Sequence, residues 1–153
     1  MNIRLDRRQM LQMSATAATL PFATQLFADD KNIKVTTYTY KKVGNLEIKL
    51  DVHRADDNVT RPVLVWIHGG ALINGHRAGI SGRVKKAMLD AGYALVSIDY
   101  RLAPETMLPG IIEDVEDAFK WIRKEGPKRF NVDTSKIAVS GGSAGGELMG
   151  AVI

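Results

Sequence analysis

The chain alternates between stretches of two-residue hydrophobic period and stretches of helical period. Residues 34–40 (KVTTYTY) are dense in β-branched and aromatic side chains, which suit a pleated strand. Past a turn at Val43, Gly44 and Asn45, the apolar positions Leu46, Ile48, Leu50 and Val52 alternate with polar ones. They predict a second strand, antiparallel to the first. Residues 62–67 (PVLVWI) and 94–98 (ALVSI) are unbroken apolar runs, as expected of strands covered on both faces. Ser81 is placed to cap a helix with Val84, Ala87, Met88 and Ala91 on one side, closed by Gly92. Ile111, Val115, Ala118, Phe119 and Ile122 recur every three or four residues, so a second helix starts near 111. Gly126-Pro127 is expected to stop it. Ile137, Ala138 and Val139 form a short strand that runs into residues 141–146 (GGSAGG) and a fresh helical start. Two antiparallel strands followed by strand–helix–strand–helix–strand imply an α/β sheet, mostly parallel and covered on both faces.

Composition sharpens this picture by exclusion. At 153 residues, 45% hydrophobic and 25% charged, the chain is one domain of ordinary globular sequence. It has no cysteine, which removes disulfide scaffolds, thiolate metal sites and thiol nucleophiles together. The net charge of +4 includes Arg4, Arg7 and Arg8 near the start. Residues 29–153 hold 18 basic against 16 acidic residues, a net +2 that implies no nucleic-acid partner.

Residues 1–28 read as an export signal. Arg4, Arg7 and Arg8 precede residues 10–28, which carry no charge, and Asp29-Asp30 return the chain to polar sequence. Arg7-Arg8-Gln9-Met10-Leu11 resembles the twin-arginine pattern, which implies a periplasmic or secreted protein. Gln12, Ser14 and Thr16 dilute the apolar run below what a membrane anchor needs, so no span is expected. The alternative is an amphipathic helix packed on the domain.

Gly141-Gly142-Ser143-Ala144-Gly145 fits G-x-S-x-G, the elbow that carries a nucleophilic serine. A strand must reverse into a helix within a few residues, with the hydroxyl of Ser143 exposed. Side chains two residues to either side would collide, hence glycine at 141 and 145. His68-Gly69-Gly70-Ala71 directly follows the buried run 62–67, where the second half of an oxyanion hole is expected. The candidate donors are the amides of Gly69, Gly70 and Ala144. His68, just before the glycine turn, suits a loop-organising hydrogen bond better than a base. His53, on an early strand, is expected to face solvent, and His76 lies in the long loop after 71. Glu147, in the first turn after the serine, reads as favourable helix-end chemistry alone.

A third segment, Asp99-Tyr100-Arg101-Leu102-Ala103-Pro104-Glu105, completes an ordered set. HGGA (68–71), DYRLAPE (99–105) and GGSAGG (141–146) resemble the HGGG, DYRLAPE and GDSAGG motifs of the hormone-sensitive-lipase-like esterases, a branch of the α/β-hydrolases. The resemblance covers most of residues 46–153. It implies an α/β-hydrolase fold and ester hydrolysis through Ser143, with a small-molecule ester as partner and no metal or organic cofactor. It also implies that Asp99, Arg101 and Glu105 pin loops by charged hydrogen bonds. Ala71 replaces the third glycine and Gly142 the usual aspartate.

In that family the triad acid and histidine follow the serine, and no histidine follows Ser143 here. The expectation is therefore that residues 29–153 are the N-terminal half of the catalytic domain, truncated after the elbow and inactive alone. An amide or formamide hydrolase on the same scaffold, and a non-catalytic remnant, stay open beside the esterase reading. Oligomeric state is not legible.

Overall fold

The computed structural model describes residues 32–151, so the export reading of residues 1–28 lies outside the described residues. Five strands and three helices follow one another as β1 (Ile33–Val43), β2 (Leu46–Ala55), β3 (Arg61–Ile67), α1 (Gly82–Asp90), β4 (Ala94–Ile98), α2 (Leu108–Phe130), β5 (Val132–Gly141) and α3 (Ala144–Met149). The sheet order is β1-β2-β4-β3-β5. β2 is antiparallel to β1 and to β4, whereas β3 is parallel to both β4 and β5. This is the expected sheet: a parallel group with an antiparallel strand pair at its N-terminal side.

Alternation along β3 separates two cores. Val63, Val65 and Ile67 pack with Ile111, Val115 and Phe119 of α2 and Leu148 of α3. Leu64, in the opposite phase, packs with Leu95 and with Leu89 of α1. Coverage on both faces explains why β3 and β4 have no polar alternation. Each fully buried aliphatic side chain contributes about 1.5–3 kcal/mol relative to exposure, so this central pair anchors the fold.

Four sequence expectations are corrected. α2 begins at Leu108 and continues through Gly126-Pro127 to Phe130. Pro127 lacks the amide that would bond one turn back, but tertiary contacts hold the last turn. Phe130 packs beside Tyr38 and Trp121, and Arg54 donates to the carbonyls of Phe130 and Asn131. Asn131 then ends the helix in the left-handed conformation. In α1, capped by Ser81 as expected at 3.2 Å, Leu89 is the buried residue while Ala87 and Ala91 are exposed. Leu89 offers far more apolar area than either alanine, so its side of the helix turns inward.

β5 is longer than residues 137–139. Its register jumps from Pro62↔Asp133 to Val63↔Ile137, which leaves the polar residues 134–136 in a bulge. His53 does not face solvent: it is 7% exposed. β2 lies inside the sheet with β1 on one side and β4 on the other, and both of its faces are covered over residues 50–55.

Candidate active site

The site is set by register. Ile67, the last residue of β3, pairs with Gly141, the last residue of β5, so the loops that leave these strands emerge side by side. Loops at the carboxyl ends of parallel strands are where α/β sheets bind ligands. Ser143 sits at the turn from β5 into α3 with φ 50° and ψ −122°, a conformation that a serine adopts only under constraint. The constraint is visible in its neighbours. A Cβ on Gly141 would run into the backbone of Gly145, and one on Gly145 would run into the carbonyls of Ile67 and His68. The strand-to-helix reversal is thus as tight as the chain permits, and it leaves Ser143 exposed.

Gly69 lies against this elbow: a Cβ there would overlap the Gly142 carbonyl and stand 3.2 Å from Ser143 Cβ. The loop then bends through three successive positive-φ residues, Gly70 (117°), Ala71 (52°) and Leu72 (64°). Their turn is closed by the amides of Ile73 and Asn74, both donating to Gly70 O at 3.0 Å. Among the described residues, no hydrogen bond engages the amides of Gly69, Gly70 or Ala144. The amides of Gly69, Gly70 and Ala144 and the exposed Ser143 thus all lie in the two loops that leave β3 and β5.

His68 braces the loop from below. Its Nδ1 is 2.8 Å from Gly69 O, and since a carbonyl only accepts, Nδ1 carries the proton. The ring stacks on Tyr100, centroids 4.2 Å apart, and the Tyr100 hydroxyl donates to His68 O at 2.8 Å. Burial lowers the His68 pKa, against the opposing effects of the Gly69 carbonyl and Asp99, which favours the neutral ring. Burial also pushes Tyr100 up to about 12, which keeps its hydroxyl a donor. Gly75 packs so close to the His68 ring that a side chain there would displace it.

A charged frame surrounds these loops. Asp99 accepts from the Arg77 amide at 2.7 Å and pairs with its guanidinium at 2.6 Å. Arg101 grips Asp114 through Nε and Nη2, each at 2.7 Å, and donates its own amide to the same carboxylate at 3.0 Å. Lys41 of β1 adds a further contact to Asp114 at 2.9 Å. Burial alone would raise the Asp114 pKa; Arg101 and Lys41 outweigh it and hold the carboxyl below its usual range. Asp114 and Lys41 escape sequence reading, although one signal was present: Asp114 is an acid on the apolar stripe between Ile111 and Val115. Glu105 departs from expectation, being exposed and without a partner among the described residues.

The remaining candidates stay apart from Ser143. His76 is exposed and precedes the short turn Arg77–Gly79. His53 is buried beneath α1, and neither ring nitrogen has a hydrogen-bond partner. Glu147 is exposed one turn into α3. Among the described residues no group of three or more His, Asp or Glu could hold a metal ion, and no helix is long and apolar enough to cross a membrane.

A family model described as BD-FAE matches residues 50–152, the span from β2 through the elbow. The chain belongs to the BD-FAE family. Among curated relatives, it is 35% identical over 127 residues to a non-reducing polyketide synthase of Stereocaulon alpinum, covering 77% of this chain and 5% of that protein. It is 38% identical over 129 residues to the arylacetamide deacetylase of Oryctolagus cuniculus, covering 80% of this chain and 31% of the relative. Among solved structures, a hyperthermophilic esterase from the archaeon Pyrobaculum calidifontis superposes with a TM-score of 0.64 at 36% identity, covering 75% of this chain and 36% of that one. The BD-FAE chain thus has the α/β-hydrolase fold and spans about a third of the length of the deacetylase and of the esterase.

Proposed function

We propose that this BD-FAE chain carries the nucleophile and the oxyanion hole of a carboxylic-ester hydrolase. Ser143 Oγ attacks the ester carbonyl, and the amides of Gly69, Gly70 and Ala144 receive the oxygen as it becomes negative. Collapse of the tetrahedral species expels the alcohol, and water then releases the acid from the acyl-serine. The histidine that takes the serine proton, and the acid that orients it, belong on this reading to sequence beyond Ile153, with residues 29–153 as the N-terminal half of the domain. The observation that carries the proposal is the constrained Ser143 beside three unengaged amides. Hydrolysis of p-nitrophenyl acetate by the full-length protein tests it. Turnover should exceed that of Ser143→Ala by about 10⁴-fold or more, and equal rates would contradict it.

The match to arylacetamide deacetylase favours a second reading, amide hydrolysis on the same elbow. Comparing p-nitrophenyl acetate with p-nitroacetanilide separates the two, and the ester reading predicts turnover of the first only. We further propose that residues 1–28 direct export to the periplasm or beyond. A reporter fused to them should leave the cytoplasm and stay inside when Arg7 and Arg8 are both replaced by lysine.

A further inference from the structure

His53 is 7% exposed, and neither of its ring nitrogens has a hydrogen-bond partner among the described residues. An unpaired buried polar group is a cost that an aliphatic side chain at the same place in β2 would avoid. His53 stands between Val35 of β1 and Leu95 of β4, on the side of the sheet that α1 covers. A cavity of about 390 Å³ opens there between α1 and the two N-terminal strands. Ile33, Val35 and Leu89 give it apolar walls, His53, Lys85 and Lys86 are its polar side chains, and no acid lines it. Lys86 pairs with Asp90 at 3.2 Å, whereas Lys85 is half-buried and close enough to His53 to act on its pKa. The rim is completed by Gly82, in the first turn of α1, where the helix presents its positive end. β1 is the opposite edge of the sheet from β5, so this cavity is separate from the Ser143 site.

We propose that the cavity binds a small organic carboxylate, its head between His53 and Lys85 and its apolar body along Val35 and Leu89. Burial first, and Lys85 after it, lower the His53 pKa against the opposing effect of Asp51, which favours the neutral ring. A neutral imidazole still holds one N–H donor. It donates to one carboxylate oxygen while Lys85 balances the charge, so the ligand partners a nitrogen that the fold leaves unpaired. Both nitrogens are screened from solvent, and a turn of the imidazole about its own axis brings one of them to the cavity. The apolar walls separate this ligand from inorganic phosphate, which would leave them unfilled. A cavity of about 150 Å³ holds a benzene ring, so one of about 390 Å³ takes a carboxylate with a body of roughly seven to ten carbons.

Isothermal titration of the full-length protein with octanoate, and with 1-octanol beside it, tests the site. Octanoate should bind once per chain, and octanol about tenfold more weakly or less. Equal affinities would overturn the anionic assignment, and no binding of octanoate would overturn the site. Lys85→Gln, at a half-buried helix position, should weaken octanoate about tenfold and leave octanol within about twofold. His53→Leu, which puts an apolar chain in place of the ring, should do the same. An unchanged octanoate affinity in Lys85→Gln would overturn the placement of the head group even if His53→Leu fails to fold. Blocking Ser143 with diethyl p-nitrophenyl phosphate should leave octanoate binding intact, and its loss on blocking would place the ligand at Ser143 instead. Binding that emerges only after Asp29 and Asp30 are both replaced by asparagine would assign the site to the chain's own acidic pair, just before Ile33, and overturn a free ligand.

Discussion

Gly69 and Ser143 are held so close that a methyl group on the first would lie 3.2 Å from the Cβ of the second. The two residues are far apart in sequence, and the pairing of Ile67 with Gly141 brings them together. Any side chain at 69 must also displace the Gly142 carbonyl. Gly69→Ala is therefore expected to lower kcat/KM about 100-fold or more, because misplaced donors no longer meet the developing oxyanion. Gly79, with open space around its Cα, serves as the comparison: Gly79→Ala should leave activity within about twofold. Equal activities in the two variants would contradict the placement of the oxyanion loop.

Asp114 is fully buried and binds both Arg101 and Lys41. Replacing it by alanine takes from Arg101 its bidentate partner and leaves Lys41 to Glu113 and Asp117, which costs about 1–3 kcal/mol. Urea denaturation should show that loss. A change below about 1 kcal/mol would mean that solvent reaches the pair and takes over from the carboxylate.

Ala71 adopts a backbone that suits glycine, with φ at 52°. Most Ala→Gly changes destabilise, yet here the left-handed strain of about 1–2 kcal/mol offsets the added freedom of the unfolded chain. Ala71→Gly should leave the thermal midpoint unchanged or raise it by a few degrees. A clear drop would show that the Ala71 methyl makes packing contacts of greater worth than the strain.

His53 and His68 both have pKa values lowered from 6.5, in each case first by burial. For His53 the nearby Lys85 adds to the effect and Asp51 opposes it. Because the unfolded chain takes up these protons first, stability is full above 6.5 and declines as the pH falls from there toward the lower folded values. Denaturation midpoints should be lower at about pH 5.5 than at about pH 7.5. His53→Gln should flatten part of that slope. Identical midpoints at the two values would mean that the imidazoles are protonated in the fold.

Much of this was legible in sequence because the signals were local. The apolar runs of β3 and β4, the Ser81 cap and the G-x-S-x-G spacing each state their structure within a few residues. The failures share a different cause. Gly126-Pro127 are strong breakers, but the helix end is held by Arg54 and Tyr38 from distant strands. His53 looked like the polar partner in an alternating strand, and only the assembled sheet reveals that both faces of β2 are covered. Lys41 reaches Asp114 across more than seventy positions of chain, a pairing that no local pattern announces. At the site, the motifs mark Ser143, Gly69 and Gly70, but the brace of His68 on Tyr100 depends on β3 and β4 lying side by side.

The central claim is that Ser143 is the nucleophile. The most direct measurement is treatment of the full-length protein with diethyl p-nitrophenyl phosphate, followed by peptide mass spectrometry. The account predicts one diethylphosphoryl group, on Ser143, with esterase activity lost in step with labelling and no label in Ser143→Ala. Labelling at another residue, or full ester hydrolysis after Ser143 is blocked, would contradict it.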